Sequence, residues 1–146
     1  MFEAQVTKTP TALAVIFKDK QLTYQQLNEK VNQIVHALRP IYTVQPDERI
    51  ALLLPRSEMM IVGILVALKM GAAYVPIDVN YPTERILYIL QDSDCQLILT
   101  EQLIIENLDQ KITENFSFVD IRQYYHENNK NTDRLIQAKN LAYIIY

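Results

Sequence analysis

One glycine sets the architecture of the middle of this chain. Residues 59–70 are apolar almost throughout, and Gly71 separates them from a second apolar run, Ala73 to Ile77. A helix that is apolar nearly all round needs cover on more than one side. A glycine at its end accepts the left-handed backbone that stops it. Upstream, Ile50 to Leu54 is a continuous apolar run closed by Pro55, the pattern of a strand buried on both faces. Ser57 is placed to cap the intervening helix, and Glu58 suits the positive end of its dipole. Strand, helix and strand in this order predict a βαβ unit with parallel strands.

The remaining elements fit around that unit. After Pro10, the run Ala12 to Phe17, the break at Lys18-Asp19-Lys20 and a short extended stretch ending at Tyr24 predict a β-hairpin. Thr23 and Gln26 have capping-box spacing, and Leu27, Val31, Ile34, Val35 and Leu38 recur at helical intervals until Pro40. Pro82 fits the first turn of a third helix with Ile86, Leu87, Ile89 and Leu90 inside, ending near Asp92-Ser93-Asp94. A strand at Gln96 to Thr100, a short helix at Glu101 to Leu108, a strand at Phe116 to Val119, a polar loop at Tyr124 to Asn140 and a last strand at Leu141 to Tyr146 follow. The alternation predicts an α/β fold: an open, mostly parallel sheet with flanking helices and an N-terminal β-hairpin.

Composition removes several function classes. With 146 residues and 49% hydrophobic content the chain can bury a core of its own. Its 14 basic residues are scattered among 17 acidic ones, for a net charge of −3, so no nucleic-acid surface is expected. The longest apolar stretch, Met59 to Met70, is too short to span a bilayer and carries Lys69. No secretory leader pattern opens the sequence, so a cytoplasmic location is expected. The single cysteine, Cys95, precedes an apolar run and is expected to be a structural thiol.

Chemistry-bearing constellations are sparse. Cradling a phosphate takes clustered glycines beside a lysine or a helix start, whereas Gly63 and Gly71 lie far apart. Gly63 is expected to allow close packing against a strand. His36 and His126 do not have metal-ligand spacing. His36 is expected half-exposed on the first long helix and His126 in the polar loop. Asp92 and Asp94 flank Ser93 at a helix end, where a turn role is expected. The junctions Pro55-Arg56-Ser57 and Asp78 to Pro82, at the carboxyl ends of strands, offer no good phosphate site.

The segment Leu68 to Asp78, which reads Leu-Lys-Met-Gly-Ala-Ala-Tyr-Val-Pro-Ile-Asp, resembles a signature of amino-acid adenylation domains from nonribosomal peptide synthetases, in the AMP-binding superfamily. Leu22-Thr-Tyr-Gln-Gln-Leu-Asn28, Tyr81-Pro-Thr-Glu-Arg85 and Leu141-Ala-Tyr-Ile-Ile-Tyr146 are similar to further early motifs, so the resemblance runs from Phe2 to Tyr146. It implies an ATP-dependent ligase that joins an amino-acid carboxylate to the α-phosphate of ATP and passes the aminoacyl group to a phosphopantetheine thiol on a carrier protein. In that family the strand resembling Leu141 to Tyr146 leads into a Ser/Thr/Gly-rich loop with a lysine that holds the phosphates.

Residues 1–146 are therefore expected to form an incomplete N-terminal subdomain that is inactive alone. The groups that hold ATP, magnesium and the amino acid come mostly from later segments of the family. No catalytic, cofactor-binding or metal-binding residue is assigned to this chain. Arg85 is expected to pair with Asp92 or a nearby carboxylate, and Tyr74, Val75, Pro76 and Ile77 to pack. The expected partners are the rest of an adenylation domain and neighbouring synthetase domains, with self-association through an exposed apolar edge at Leu141 to Tyr146. Two alternatives stay open: a non-catalytic scaffold or split-enzyme piece, and part of an acyl- or aryl-acid CoA ligase.

Overall fold

Thr23 shows how the local sequence sets the first half of the fold. The computed structural model describes residues 2–17 and 20–123; the loop expected around His126 and the strand expected at 141–146 lie outside them. Strands β1 (Leu13–Phe17) and β2 (Lys20–Thr23) pair antiparallel, with a register break between Leu13 and Val15. Thr23 ends the hairpin and starts a helix. Its Oγ1 accepts from the Gln26 N–H at 3.1 Å, and Gln26 Oε1 accepts from the Thr23 N–H at 2.9 Å. Both halves of the capping box are made.

Before the hairpin lies α1 (Phe2–Lys8), a helix with no counterpart in the sequence pattern, and after it α2 (Tyr24–Leu38). Leu27, Val31, Ile34, Val35 and Leu38 are all buried, as the periodicity requires. Each such side chain contributes about 1.5–3 kcal/mol by leaving water.

The second half alternates: β3 (Arg49–Leu53), α3 (Glu58–Lys69), β4 (Ala73–Ile77), α4 (Thr83–Asp92), β5 (Leu97–Thr100), α5 (Gln102–Glu106), α6 (Gln110–Thr113) and β6 (Ser117–Asp120). The strands form one parallel sheet in the order β4-β3-β5-β6. Because side chains alternate along a strand, Ile50 and Leu52 join a core with α2 and α3, while Ala51 and Leu53 join a second core with α4. The chain leaves β3 toward β4 and returns on the other side of β3 as β5. The carboxyl ends of β3 and β5 thus frame a topological switch point.

Gly71 and Asp94 end their helices by the same device. Gly71 has φ 88°, its N–H donates to Leu68 O, and the Ala72 N–H donates to Ala67 O. Asp94 has φ 55°, with the Asp94 N–H on Gln91 O and the Cys95 N–H on Leu90 O. Both are Schellman caps. The turn role expected of Asp94 takes this specific form. Gly63 faces the sheet, where an added Cβ would stand 2.9 Å from Leu54 Cδ1 and 3.3 Å from Leu52 Cδ2, so close packing is its role.

Three expectations need correction. Pro82 is the N-cap of α4 rather than a residue of its first turn. Arg85 sets its guanidinium 5.8 Å from the ring centroid of Tyr81, just before α4, and 5.9 Å from that of Tyr88, three residues along the helix, and among the described residues makes no ion pair with a carboxylate. Residues 110–113, for which the sequence pattern predicts no element, form α6, capped by Asp109 Oδ1 on the Lys111 N–H at 2.8 Å.

Lys69, at the end of α3, makes a further contact set that no local pattern announces. Its Nζ lies 2.5 Å from Glu3 Oε2, 2.7 Å from Asn28 Oδ1 and 2.7 Å from Asn32 Oδ1. One buried ammonium thus ties α1, α2 and α3 together. Asn32 is fully buried, and Arg39 Nη2 donates to the Lys69 carbonyl at 3.2 Å.

Candidate functional site at the carboxyl ends of the strands

In a parallel sheet the ligand position of first resort lies beyond the carboxyl ends of the strands. At those ends stand Leu54 to Ser57 after β3, Asp78 to Pro82 after β4, Glu101 after β5 and, after β6, the described residues Ile121 to Gln123. Between β3 and β5, Thr100 Oγ1 donates to Leu53 O at 2.6 Å and fastens the two strand ends to each other.

Around that point the charged side chains form a layered arrangement. Glu58, at the first turn of α3, has a side chain only 6% exposed, and Oε1 lies 3.3 Å from Lys20 Nζ and 3.6 Å from Arg122 Nη2. Arg122 Nε also lies 3.0 Å from Glu101 Oε1. Glu101 Oε1 is buried and its contact with Arg122 is an ion pair without hydrogen-bond geometry. Burial works to raise the Glu58 carboxyl pKa, but its backbone hydrogen bond at the helix start, the Lys20 contact and the Arg122 charge together hold it below the ordinary value. Lys30, on α2, is held below the usual lysine range by desolvation first and then by the Arg122 charge.

Three backbone N–H groups near the strand ends are already engaged by side chains. Ser57 Oγ takes the Met59 N–H at 3.2 Å, Asp120 Oδ2 takes the Gln102 N–H at 3.2 Å, and Asp78 Oδ1 takes the Asn80 N–H at 2.8 Å. Two of these three acceptors are carboxylates, and Glu58 and Glu101 stand beside them. These three N–H groups are therefore not free to converge on the negative charge of a triphosphate. Among the described residues no group of three or more His, Cys, Asp or Glu is arranged to hold a metal ion.

The other residues singled out in the sequence are dispersed. Cys95 is buried, its Sγ 3.1 Å from Ser93 Oγ, and burial pushes the thiol pKa up. A raised pKa keeps it protonated and a poor nucleophile. His36 is half-buried on α2. Val75 and Ile77 are buried, with Tyr74 and Pro76 half-buried, so the segment after Gly71 packs. Among the described residues no helix is long and apolar enough to cross a membrane. Sequence reasoning misses the layering around Glu58, because Lys20, Arg122 and Glu101 are 38 or more residues from it.

The class defined by these features is an α/β parallel sheet with helices on both faces, entered through a hairpin. A family model described as AMP-binding enzyme matches residues 2–146, and the chain belongs to that family. It is 41% identical over 146 residues to gramicidin S synthase 2 of Brevibacillus brevis, covering 100% of this chain and 3% of that protein. To tyrocidine synthase 2 of Brevibacillus parabrevis it is 43% identical over 148 residues, covering 100% of this chain and 4% of the relative. Among solved structures, the nonribosomal peptide synthetase FmoA3 with bound α-methyl-L-serine-AMP superposes with TM-score 0.89 at 23% identity, over 99% of this chain and 16% of that one. The N-terminal subdomain of Klebsiella oxytoca NpsA superposes with TM-score 0.83 at 19% identity, over 97% and 35%. The chain thus spans a small part of the length of its relatives.

Proposed function

We propose that these 146 residues supply the N-terminal sheet layer of an amino-acid adenylation domain in a nonribosomal peptide synthetase. The complete domain would use ATP and magnesium to make an aminoacyl adenylate and load it onto a carrier-protein phosphopantetheine. In this reading the chain's own contribution is mechanical. Its two cores hold β3 and β5 in register, and the remaining adenylation-domain segments and neighbouring synthetase domains are its partners. The observation that carries the reading is the family match from residue 2 to residue 146, joined to relatives 41% and 43% identical along the whole chain. Those same relatives favour the peptide-synthetase branch over the acid–CoA ligases.

The self-capped strand ends support a second part of the proposal: the chain alone does not adenylate. Loss of a single preorganised donor already slows catalysis by about 10² to 10³. Two measurements test this. Pyrophosphate exchange by the isolated chain should be absent. Grafted in place of the matching segment of a relative such as tyrocidine synthase 2, the residues should sustain exchange with the recipient's amino-acid preference unchanged. Exchange by the isolated chain overturns the inactivity. A well-folded graft that is dead, or that changes preference, overturns the structural role.

A further inference from the structure

Helix α1 takes no part in the adenylation reading. Seven residues are too few to keep a helix in water by themselves, so its form depends on what it rests against. None of its residues is buried. Phe2, Glu3 and Val6, which meet on one helix face, are half-buried, while Ala4, Thr7 and Lys8 are exposed. An element with so little enclosed apolar surface stands at the low end of the range of local stability.

The two ends of α1 are fastened by different means. Just past its carboxyl end, Pro10 O accepts from the Gln25 N–H at 3.0 Å and Ala12 O from the Tyr24 N–H at 2.9 Å. Both donors belong to the first turn of α2, which cannot satisfy them itself, so this connection is anchored through the backbone. The amino end rests on side chains. The Phe2 ring lies 6.3 Å from that of Tyr24, and Lys69 Nζ stands 5.8 Å from the Phe2 centroid and donates to Glu3 Oε2. The Lys69 side chain is thereby left 10% exposed, with its ammonium also on Asn28 and Asn32 of α2. Lifting α1 returns Glu3 and Lys69 to water and leaves Lys69 its two amide oxygens, so neither charge is stranded.

We propose that α1 is a hinged strap: it swings away as a unit about residues 9–12 while the sheet and the long helices stay folded, and the Glu3–Lys69 contact is the latch that sets how often it opens. Seated, the strap shields the Lys69 ammonium. Open, it uncovers that ammonium between two amide oxygens, so the reactivity of Lys69 reports the position of α1.

The test uses the full 146-residue chain and an N-hydroxysuccinimide ester of acetate, which acetylates amines that reach solvent. Lys20 and Lys111, with side chains 59% and 67% exposed, serve as references within the same molecule. Peptide mass spectrometry should show Lys69 acetylated about a hundredfold more slowly than either, because labelling tracks the open fraction when opening and closing outpace the chemistry. Glu3→Gln should quicken Lys69 about tenfold and leave Lys20 and Lys111 as they are. Lys8→Gln, on the exposed side of α1, should change nothing. Hydrogen exchange should rise within residues 2–8 of the Glu3→Gln chain and stay the same across α2 and α3, an outcome that general unfolding does not give. The strap is refuted by Lys69 reacting as fast as Lys20 in the wild type, by an unchanged rate in Glu3→Gln, or by α2 and α3 amides exchanging in step with α1.

Discussion

Helix α3 carries a buried charge at each end, and the two are built differently. At its carboxyl end Lys69 is 10% exposed and reaches Glu3, Asn28 and Asn32, groups from α1 and α2 that are themselves half-buried or buried. At its amino end Glu58 is 6% exposed, yet its partners Lys20 and Arg122 open to solvent. Both charges have the sign that the helix dipole favours. They differ in what happens when one is removed. Two of the partners of Lys69, Asn28 and Asn32, are buried and the third, Glu3, is mostly covered, whereas the partners of Glu58 are open to solvent. The carboxyl end of α3 is a lock between three helices, and the amino end is the inner layer of a solvated surface.

The largest effect should therefore come from Lys69→Ala. It leaves a carboxylate and two buried amide oxygens without their shared cation, and breaking a buried pair costs about 3–5 kcal/mol. Urea unfolding should record that loss, with α1 detaching first by hydrogen exchange. A cost below that of a surface substitution would collapse the comparison. Glu58→Gln should cost less, about 1–2 kcal/mol, because the freed Lys20 and Arg122 regain water. If it costs as much as Lys69→Ala, the amino end is also a lock.

These two charges also mark the boundary of what the sequence discloses. The capping box at Thr23 and Gln26, the stop at Gly71 and the buried runs of β3 and β4 are local. Each requires only neighbours within a few residues, and each stands where the pattern places it. Lys69 is legible as a charge in an apolar stretch, but its partners lie 66, 41 and 37 residues away. Helix α1 escapes notice because it has no fully buried residue and so little apolar period. Arg85 misleads for a related reason: an arginine can lie over a ring as well as pair with a carboxylate, and the neighbours the fold supplies decide which.

Acid sharpens the contrast further. The Glu58 carboxyl is held below its ordinary value in the folded chain. A depressed folded pKa means that its contribution is complete above the unfolded pKa, about 4.3, and disappears as pH falls through the lower folded value. The stability gap between wild type and Glu58→Gln should thus be constant near neutrality and close progressively in acid. Urea unfolding from about pH 7 down to about pH 3 measures it. A gap that widens in acid would mean that the carboxyl is raised, with desolvation outweighing Lys20 and Arg122.

Salt should produce the smallest effect and discriminate most cleanly. At 1 M the screening length is about 3 Å, and it acts where solvent reaches the charges. Lys20 and Arg122 are open to ions, so the cost of Glu58→Gln should shrink when sodium chloride is raised from low concentration to about 1 M. The Lys69 ammonium is enclosed by Glu3, Asn28 and Asn32, so the cost of Lys69→Ala should stay nearly constant. Urea, being uncharged, allows both to be measured in one series. Equal salt sensitivity at the two ends would show that solvent reaches Lys69 as freely as it reaches Lys20, and α3 would then have two surfaces and no lock.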